Sequence, residues 1–464
     1  MPQPVAPKAT IDIEVGYSGN ITQDTSRLTR VGVPEAQARA TDWDRISPDF
    51  TALRGVGHVV WYPVALEPAM LSDRNKLFVE LGEFRARHAE AQMILNTQHD
   101  DISNDAMLSN GQPSGEALIF VSGKNHYGKI EFPRLGMDGP LIVIGKFERL
   151  PASNDQIWFQ PKQSLAAAKY ADAVKKVAPE ITSWLRAPQD RITIIQHPDP
   201  NAAPFESGSL LLTPFTDNDK AIQWQIAHTL AHAAVPSSRA WIAEGLAHYA
   251  QLREREVQDG HKAALAFLLD RRTTLALDEP ENMKSSPDSA ARSLINTGDE
   301  VLYRTKAMYV WWMLHDMLGD APLLKALRNY RAADDKETTY MQKLIEAQAH
   351  RDLSWFFDDW VYRDRGLPDF RIAQVYPRQT IGSDSSARYI VTVTVENLGD
   401  CAAEVPVRVL TKEGESTARV QVPANSKASA RVTTASLPLE VIVNDGSVPE
   451  SDLTNNVWKA EGAK

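Results

Sequence analysis

The sequence predicts a multidomain α+β protein: a β-rich N-terminal domain at residues 10–155, a mainly helical domain at 156–375, a linker at 376–387 and a β-sandwich at 388–460. Three observations carry this. The chain has 464 residues, and ~150 residues per domain suggests about three domains. The hydrophobic period changes from that of strands to that of helices near Pro161, and back again near Tyr389. Apolar residues make up 43% and charged residues 24%, which is ordinary globular usage rather than that of a disordered or fibrous chain.

Taken in order, Ile11, Ile13 and Val15 alternate with Asp12 and Glu14, as strand residues do. Leu118–Val121 and Leu141–Ile144 are short apolar runs bounded by Gly, Ser and Pro, the pattern of buried strands. Ser164 is placed to cap a helix running through Ala168, Tyr170 and Val174 towards Pro179. Arg191–Gln196 and Ser209–Thr213 read as strands, and Asp217 or Asp219 begins a helix through Ile222, Ile226 and Leu230. A second helix follows Pro236, and the helical pattern persists through Met308–Leu318, Leu323–Tyr330 and Leu353–Val361. The polar stretch Asp278–Asp299 reads as a long loop. Tyr376–Ala387 is polar and reads as the linker. Beyond it Tyr389, Val391, Val393 and Val395 alternate with Ile390, Thr392 and Thr394, and Asn397–Asp400 makes a turn. Short strands at Val405–Leu410, Ala418–Val422, Ala428–Val432 and Leu439–Val443 then follow at sandwich spacing.

Charge and composition exclude several functions. A formal net charge of -10 without a long Lys/Arg run lacks the electrostatic footprint of a nucleic-acid binder. Cys401 is the single cysteine, which excludes an intrachain disulfide and a Cys-ligated metal cluster. No apolar run approaches the ~20 residues of a transmembrane helix, so the chain reads as soluble. Met1–Lys8 has no charged region followed by an apolar stretch, hence no signal-peptide pattern.

One segment, Ala221–Leu252, carries chemistry. His228 and His232 are four apart on a predicted helix, so both imidazoles leave one face and can reach one metal ion. Pro236-Ser237-Ser238 breaks the helix and folds the next one back beside it. Glu244 then faces the two histidines, giving a His, His, Glu set with one position free for water. The histidine pair alone is weak evidence, since two helix histidines satisfied by hydrogen bonds give the same pattern.

Trp241-Ile242-Ala243-Glu244-Gly245-Leu246-Ala247-His248-Tyr249 resembles the W-L-x-E-G-x-A-E-Y segment of the gluzincin metallopeptidases, a group that includes the membrane-alanyl-aminopeptidase family. Tyr303-Arg304-Thr305-Lys306-Ala307 resembles that family's Y-x-K-G-A helix start, with one residue inserted. Leu353–Trp360 followed by Gly366–Phe370 resembles its L-x-x-F-F-x-x-W…G-x-P-x-F ending, and Tyr17–Gly19 and Trp61–Pro63 resemble pieces of its N-terminal β domain. The resemblance covers roughly residues 10–375. It implies a thermolysin-like middle domain that binds one zinc ion through His228, His232 and Glu244, and a peptide or protein ligand.

The family motif H-E-x-x-H reads His228-Thr229-Leu230-Ala231-His232 here. In the family, zinc acidifies a water and the motif glutamate takes its proton. A threonine hydroxyl is no base near neutral pH, and loss of a general base costs ~10²- to 10⁴-fold. The expectation is therefore a zinc-metallopeptidase-like protein with little or no hydrolysis; the alternative is a non-catalytic module that binds a peptide, glycan or protein. Other departures point the same way. The spacer between His232 and Glu244 is compressed. His248 stands where the family has a supporting glutamate; a replacement base and a structural hydrogen bond to Glu244 are its two readings. No G-x-M-E-N segment occurs, and Glu206 in Ala203–Ser207 is the candidate for a peptide amino terminus, with a plain loop carboxylate as the alternative. Tyr303 is the oxyanion candidate, the one-residue offset making Arg304 the other. Tyr309, Trp311 and Trp312 read as core.

The tail, Val443–Gly446 with Val448–Asp452 and Asn455-Asn456, resembles bacterial cell-adhesion-related β-sandwich modules, implying an immunoglobulin-like sandwich. Such modules occur mostly on exported proteins, which makes a periplasmic or secreted location with the signal removed the expectation and a cytoplasmic one the alternative. The Asp/Asn cluster there reads as turn-forming side chains rather than a calcium site.

Overall fold

The computed structural model of the protein describes residues 20, 25–30, 32–35, 38, 45–54, 88–89, 91–99, 105–113, 126–136, 139–150, 156–285, 292–381 and 387–460. The segments expected at Ile11–Val15, Tyr17–Gly19, Trp61–Pro63 and Leu118–Val121 lie outside these residues. The protein is mixed α and β, with several sheets and a helical middle.

In the N-terminal region a short helix α1 (Ser26–Arg30) precedes strands β1 (Arg45–Ile46), β2 (Phe50–Leu53), β3 (Met93–His99), β4 (Asp105–Ser109), β5 (Gln112–Pro113), β6 (His126–Phe132) and β7 (Ile142–Lys146). They form a four-stranded sheet in the order β1-β2-β7-β4 and a three-stranded sheet β3-β6-β5, all antiparallel. The apolar run at Leu141–Ile144 thus becomes the inner strand β7 of the larger sheet.

A central sheet follows, built from β8 (Glu148–Arg149), β9 (Gln156–Phe159), β10 (Thr193–Gln196), β11 (Phe205–Ser207) and β12 (Leu210–Thr213) in the order β11-β12-β10-β9-β8. Strands β9, β10 and β12 run parallel, with β11 and β8 antiparallel at the edges. Their sequences are apolar without alternation because both faces are covered. Trp158, Ile195 and Leu212 pack against Phe50, Leu108 and Val143 of the N-terminal sheet. Ile157, Ile194 and Leu211, one residue away and therefore on the opposite face, join the helical core with Tyr170, Val177 and Ile226.

The helices are α2 (Ser164–Trp184), α3 (Asp219–Ala234), α4 (Ala240–Asp259), α5 (His261–Ser285), α6 (Ala307–Leu318), α7 (Asp320–Asn329), α8 (Tyr340–Ala349) and α9 (Ser354–Phe357). Wider π-type turns at Val301–Lys306 and Asp358–Tyr362 adjoin α6 and α9. Helix α2 does not stop at Pro179: it carries on to Trp184, because Ile181 and Trp184 are buried and hold the last turn in the core. Its N-cap is Gln163 rather than Ser164. Helix α3 starts at Asp219, one of the two expected positions, and Asn218 caps it by accepting the Ala221 N–H at 3.2 Å. The backbone of α5 stays helical to Ser285, so the loop expected from Asp278 begins later. Helix α8 had no counterpart among the expected elements.

Among the described residues the tail carries seven strands in two sheets. Strands β13 (Phe370–Ile381), β14 (Ala387–Asn397), β15 (Ala403–Leu410), β16 (Glu415–Val422), β17 (Ser426–Thr434), β18 (Glu440–Val443) and β19 (Val457–Lys459) form sheets β13-β14-β17 and β16-β15-β18-β19. Residues 376–381, expected in the linker, are strand: β13 pairs with β14 along its length, Pro377 lying opposite Val391. Strand β13 is an edge strand, and an edge tolerates the missing proline N–H and the exposed polar side chains that made this stretch read as a linker. One hydrophobic core runs from α2 through Trp311 and Trp360 into Val391, Val407 and Val443 of the sandwich. Polar contacts close the junction: Trp360 Nε1 donates to Ala402 O at 2.8 Å, and Arg272 Nε donates to Glu450 O at 2.6 Å. In the tail turn Asn444 Oδ1 accepts the N–H groups of Gly446 and Val448, the turn-forming role expected of that cluster. Among the described residues no helix is long and apolar enough to cross a membrane.

Candidate metal centre

Helices α3 and α4 build the site. Every residue of α3 from Ile226 to Ala234 is buried, since the helix lies between the central sheet and α4. A helix buried all round normally carries only apolar side chains. His228, Thr229 and His232 are the polar exceptions, at 8%, 0% and 8% exposure. The connection Val235–Arg239 folds α4 back against α3. It is held by Arg239 Nε donating to Asp335 Oδ1 at 2.8 Å and by Tyr330 OH lying 2.8 Å from Ser237 Oγ.

Glu244 on α4 accordingly faces α3, its Oε1 3.4 Å from His232 Nε2. His248, one turn further along α4, places Nε2 3.9 Å from Glu244 Oε2. The ring of His228 lies edge-to-face with both other imidazoles, at centroid distances of 5.0 Å to His232 and 4.7 Å to His248. The nitrogens His232 Nε2 and His248 Nε2 are buried and have no hydrogen-bond partner. Two donor triples result, each within the span of one ion: Glu206, His228 and His232, and His228, Glu244 and His248. Imidazole nitrogens with carboxylate oxygens form a donor set that suits zinc.

Glu206 comes from the edge strand β11, held against β12 by the Glu206–Leu211 register. Asn110 donates to Ser207 Oγ at 2.8 Å and to Gly139 O at 2.8 Å, tying β11 to the N-terminal region. The carboxylate therefore reaches inward. Its Oε2 meets His228 Nδ1 at 2.5 Å and accepts from Thr229 Oγ1 at 3.1 Å. A carboxylate only accepts, so His228 Nδ1 carries the proton. This is the arrangement in which a carboxylate orients a ligand imidazole. Sequence reasoning offered Glu206 as a binder of a peptide amino terminus or as a plain loop carboxylate; the contact with Thr229 needed the β11–β12 hairpin to be known.

Charge follows the geometry. Burial opposes ionisation of Glu244, but Arg304 and the three imidazoles hold its carboxyl well below the usual range. Burial lowers the pKa of His232, and burial with the neighbouring His228 pushes His248 further down. Burial also disfavours the charged form of His228, but Glu206 outweighs it and raises the pKa. Arg304 Nε donates to Glu244 Oε2 at 3.3 Å and its Nη1 to Glu300 Oε2 at 3.1 Å. Arg304, weighed from the sequence as the alternative to Tyr303, is thus the group that touches Glu244.

Tyr303 is buried in the π-type turn before α6 and lines, with His232, Glu244, Ser209 and Ser237, a cleft of about 660 Å³. Tyr309, Trp311 and Trp312 are core residues, as expected. Trp311 stacks on Trp241 at 5.4 Å and donates Nε1 to the Trp241 carbonyl at 3.2 Å, bracing the start of α4. Gly245 lies beside Glu244 because α4 approaches α6 closely: a Cβ there would stand 2.8 Å from Ala307 Cβ and 2.9 Å from Trp311 Cδ1. No family model matches the chain, and no curated protein matches it with significant similarity.

Proposed function

We propose that the chain is a zinc-metallopeptidase-like protein of the gluzincin type, related to the membrane alanyl aminopeptidases, that binds a metal ion and has lost the hydrolytic step. One observation carries the reading. His228 shares one donor triple with Glu206 and His232 and a second with Glu244 and His248, and His232 Nε2, which has no hydrogen-bond partner, lies 3.4 Å from Glu244 Oε1. A zinc ion held there supplies Lewis acidity to a water or carbonyl. The protein side of the reaction lacks the proton acceptor, because Thr229 Oγ1 is itself a donor to Glu206 Oε2 and to Gln225 O. On this reading residues 10–155 are the family's N-terminal β domain, 156–375 its thermolysin-like domain and 388–460 an immunoglobulin-like module of an extracytoplasmic protein.

Metal content of the untagged protein by mass spectrometry tests it, with His232→Ala as control. About one zinc per chain that disappears in the variant is the expected result; a metal-free protein after incubation with excess zinc would remove the reading. A second reading, a module that holds a peptide or glycan without cleaving it, is supported by the hydroxyl-rich cleft wall of Ser109, Ser207, Ser209, Ser237 and Ser238. Under it a peptide remains bound intact whether or not zinc is present.

A further inference from the structure

Away from the metal centre, two arginine charges gather where α3, α4 and α5 meet. Gly260 ends α4 with φ at 86°, a conformation that suits glycine, and α5 starts at once with His261. The sharp junction turns α5 back along α4, so Arg255 near the end of α4 meets Phe267 early in α5. The Arg255 guanidinium carbon lies 4.4 Å from the centre of the Phe267 ring and 3.5 Å from that of Trp224 on α3. At the shorter distance the planar group lies flat on the indole. Arg271, one turn beyond Phe267 and on the same helix face, brings its guanidinium carbon to 5.1 Å from that phenyl ring. The two charges thus share one ring and stand within about 10 Å of each other, a separation that salt screens only in part.

Neither guanidinium makes a hydrogen bond or ion pair with a described residue. Neighbouring arginines on the same helices do: Arg253 pairs with Asp320, and Arg272 donates to the Glu450 carbonyl. The chain has 60 acidic residues against 50 basic ones, so carboxylates are not in short supply. The one that acts on Arg255, Asp259, is itself paired with Lys220. Burial, and after it the charge of Arg271, lower the Arg255 pKa. Arg255 Nε and Trp224 Nε1 are buried without a hydrogen-bond partner. Ring contacts engage the face of a guanidinium and leave its N–H edge unmatched.

We propose that this cluster is an oxyanion site whose ligand is a phosphate group, seated on the Nη edge of Arg255 with Arg271 as the second charge. A guanidinium held flat on an aromatic ring presents parallel N–H groups in a fixed plane, and two oxygens of one phosphate match them. Two positive charges favour a dianion over a singly charged carboxylate, and a phosphate monoester carries about −1.5 to −2 at pH 7. Arg271 is exposed, so the site opens to solvent. Free phosphate and a phosphorylated side chain share this chemistry. The site is independent of the metal-binding reading above.

Isothermal titration of the full, chelator-treated chain with inorganic phosphate tests the proposal, the chelator removing any metal that would give phosphate another seat. Arg255→Lys keeps the charge but loses the flat two-pronged edge, and should weaken binding ~10-fold or more. Arg271→Gln removes one unit charge a few ångströms away in water-like surroundings, and should weaken it about 3-fold. If Arg255→Lys does not fold, the exposed Arg271→Gln carries the test. Acetate should bind more weakly than phosphate. A capped phosphoserine separates the two sources: tighter binding than inorganic phosphate assigns a phosphorylated partner, weaker binding assigns the free anion, and either sustains the site. Absence of phosphate binding by the unmutated chain would overturn the proposal, as would binding that neither variant alters, an adventitious ion only. Acetate bound as tightly as phosphate would overturn the phosphate assignment.

Discussion

Thr229 is the fully buried polar residue between the two histidines of α3, and its surroundings show what a glutamate in its place would meet. The side chain is fully buried, donating to Glu206 Oε2 and Gln225 O at 3.1 Å each. A glutamate in its place brings a second carboxylate against Glu206, and two carboxylates in hydrogen-bond contact cannot both stay ionised. It also adds volume to a closed helix face, an overpacking that typically costs ~1–3 kcal/mol. Thr229→Glu should therefore lower stability in urea unfolding by about that amount, and Thr229→Glu/Glu206→Gln should recover the part due to repulsion. The His228–His232 pair was legible in the sequence because i, i+4 spacing on one helix is a local property, whereas Glu244 was placed opposite it by the short turn at Pro236–Ser238 and Thr229 was singled out by the motif resemblance. Glu206 and Arg304 were legible only as candidates. Which groups they touch depends on a strand register and on the π-type turn before α6, and neither leaves a periodic trace.

At the scale of elements, the position of Glu244 is set by how closely α4 lies against its neighbours. Gly245 permits the contact with α6, and a methyl group there meets Ala307 Cβ at 2.8 Å and Trp311 Cδ1 at 2.9 Å. Both obstacles are buried and rigid, so the helices must separate. Gly245→Ala should cost ~1–3 kcal/mol by overpacking, despite alanine's better helix propensity, and a thermal melt at or above that of the parent protein would contradict the close approach. On its opposite side α4 meets α2 through carboxyl groups. Glu254 is fully buried and accepts from Gln258 Nε2 at 2.5 Å. Burial first, and contact with the Glu180 carboxyl second, raise its pKa to about 7, with Lys176 opposing. The sign follows: the folded state keeps this proton where the unfolded chain has released it. The contribution is full below about pH 4.5 and is lost as pH rises through about 7. Chemical unfolding at pH 5 and pH 8 should show the α2–α4 contact weakening by about 2 kcal/mol, and Glu254→Gln should flatten that dependence. A variant with the same pH dependence as the parent would place the proton elsewhere. The helices α2, α3 and α4 were largely readable from apolar periodicity. Their ends were less so, since burial of Trp184 carried α2 past Pro179, a tertiary effect stronger than the local signal.

For the whole molecule, the consequence of a strand at residues 370–381 is that the tail is not a tethered module. The alternating valines of β14 announced a sandwich, but a polar edge strand containing Pro377 is indistinguishable in sequence from a linker, because an edge places no demand on side-chain pattern. The structure joins the two parts through one hydrophobic core and through Glu450. This residue is fully buried, accepts the Phe370 N–H through Oε2 at 3.0 Å, and accepts from Asn444 and Asn456 through Oε1. It thus fixes the first strand of the sandwich, which is also the last segment of the helical part, to the closing turn. Its backbone carbonyl meanwhile accepts from Arg272 on α5. Glu450→Ala takes their Glu450 acceptor from the Phe370 N–H and the Asn456 amide, while Asn444 Nδ2 keeps Val448 O; at ~1–3 kcal/mol for each buried donor left unpaired, a loss of ~2 kcal/mol or more is expected. Because the core is continuous, that loss should appear as a lowered midpoint of a single transition, with sandwich and helical signals moving together. Tryptophan fluorescence, dominated by the helical part through Trp241, Trp311 and Trp312, and limited proteolysis at the tail should then report the same midpoint in parent and variant alike. Two separated transitions, with the tail melting first and the tryptophans unaffected, would show that the sandwich folds on its own and that the junction at Glu450 transmits nothing.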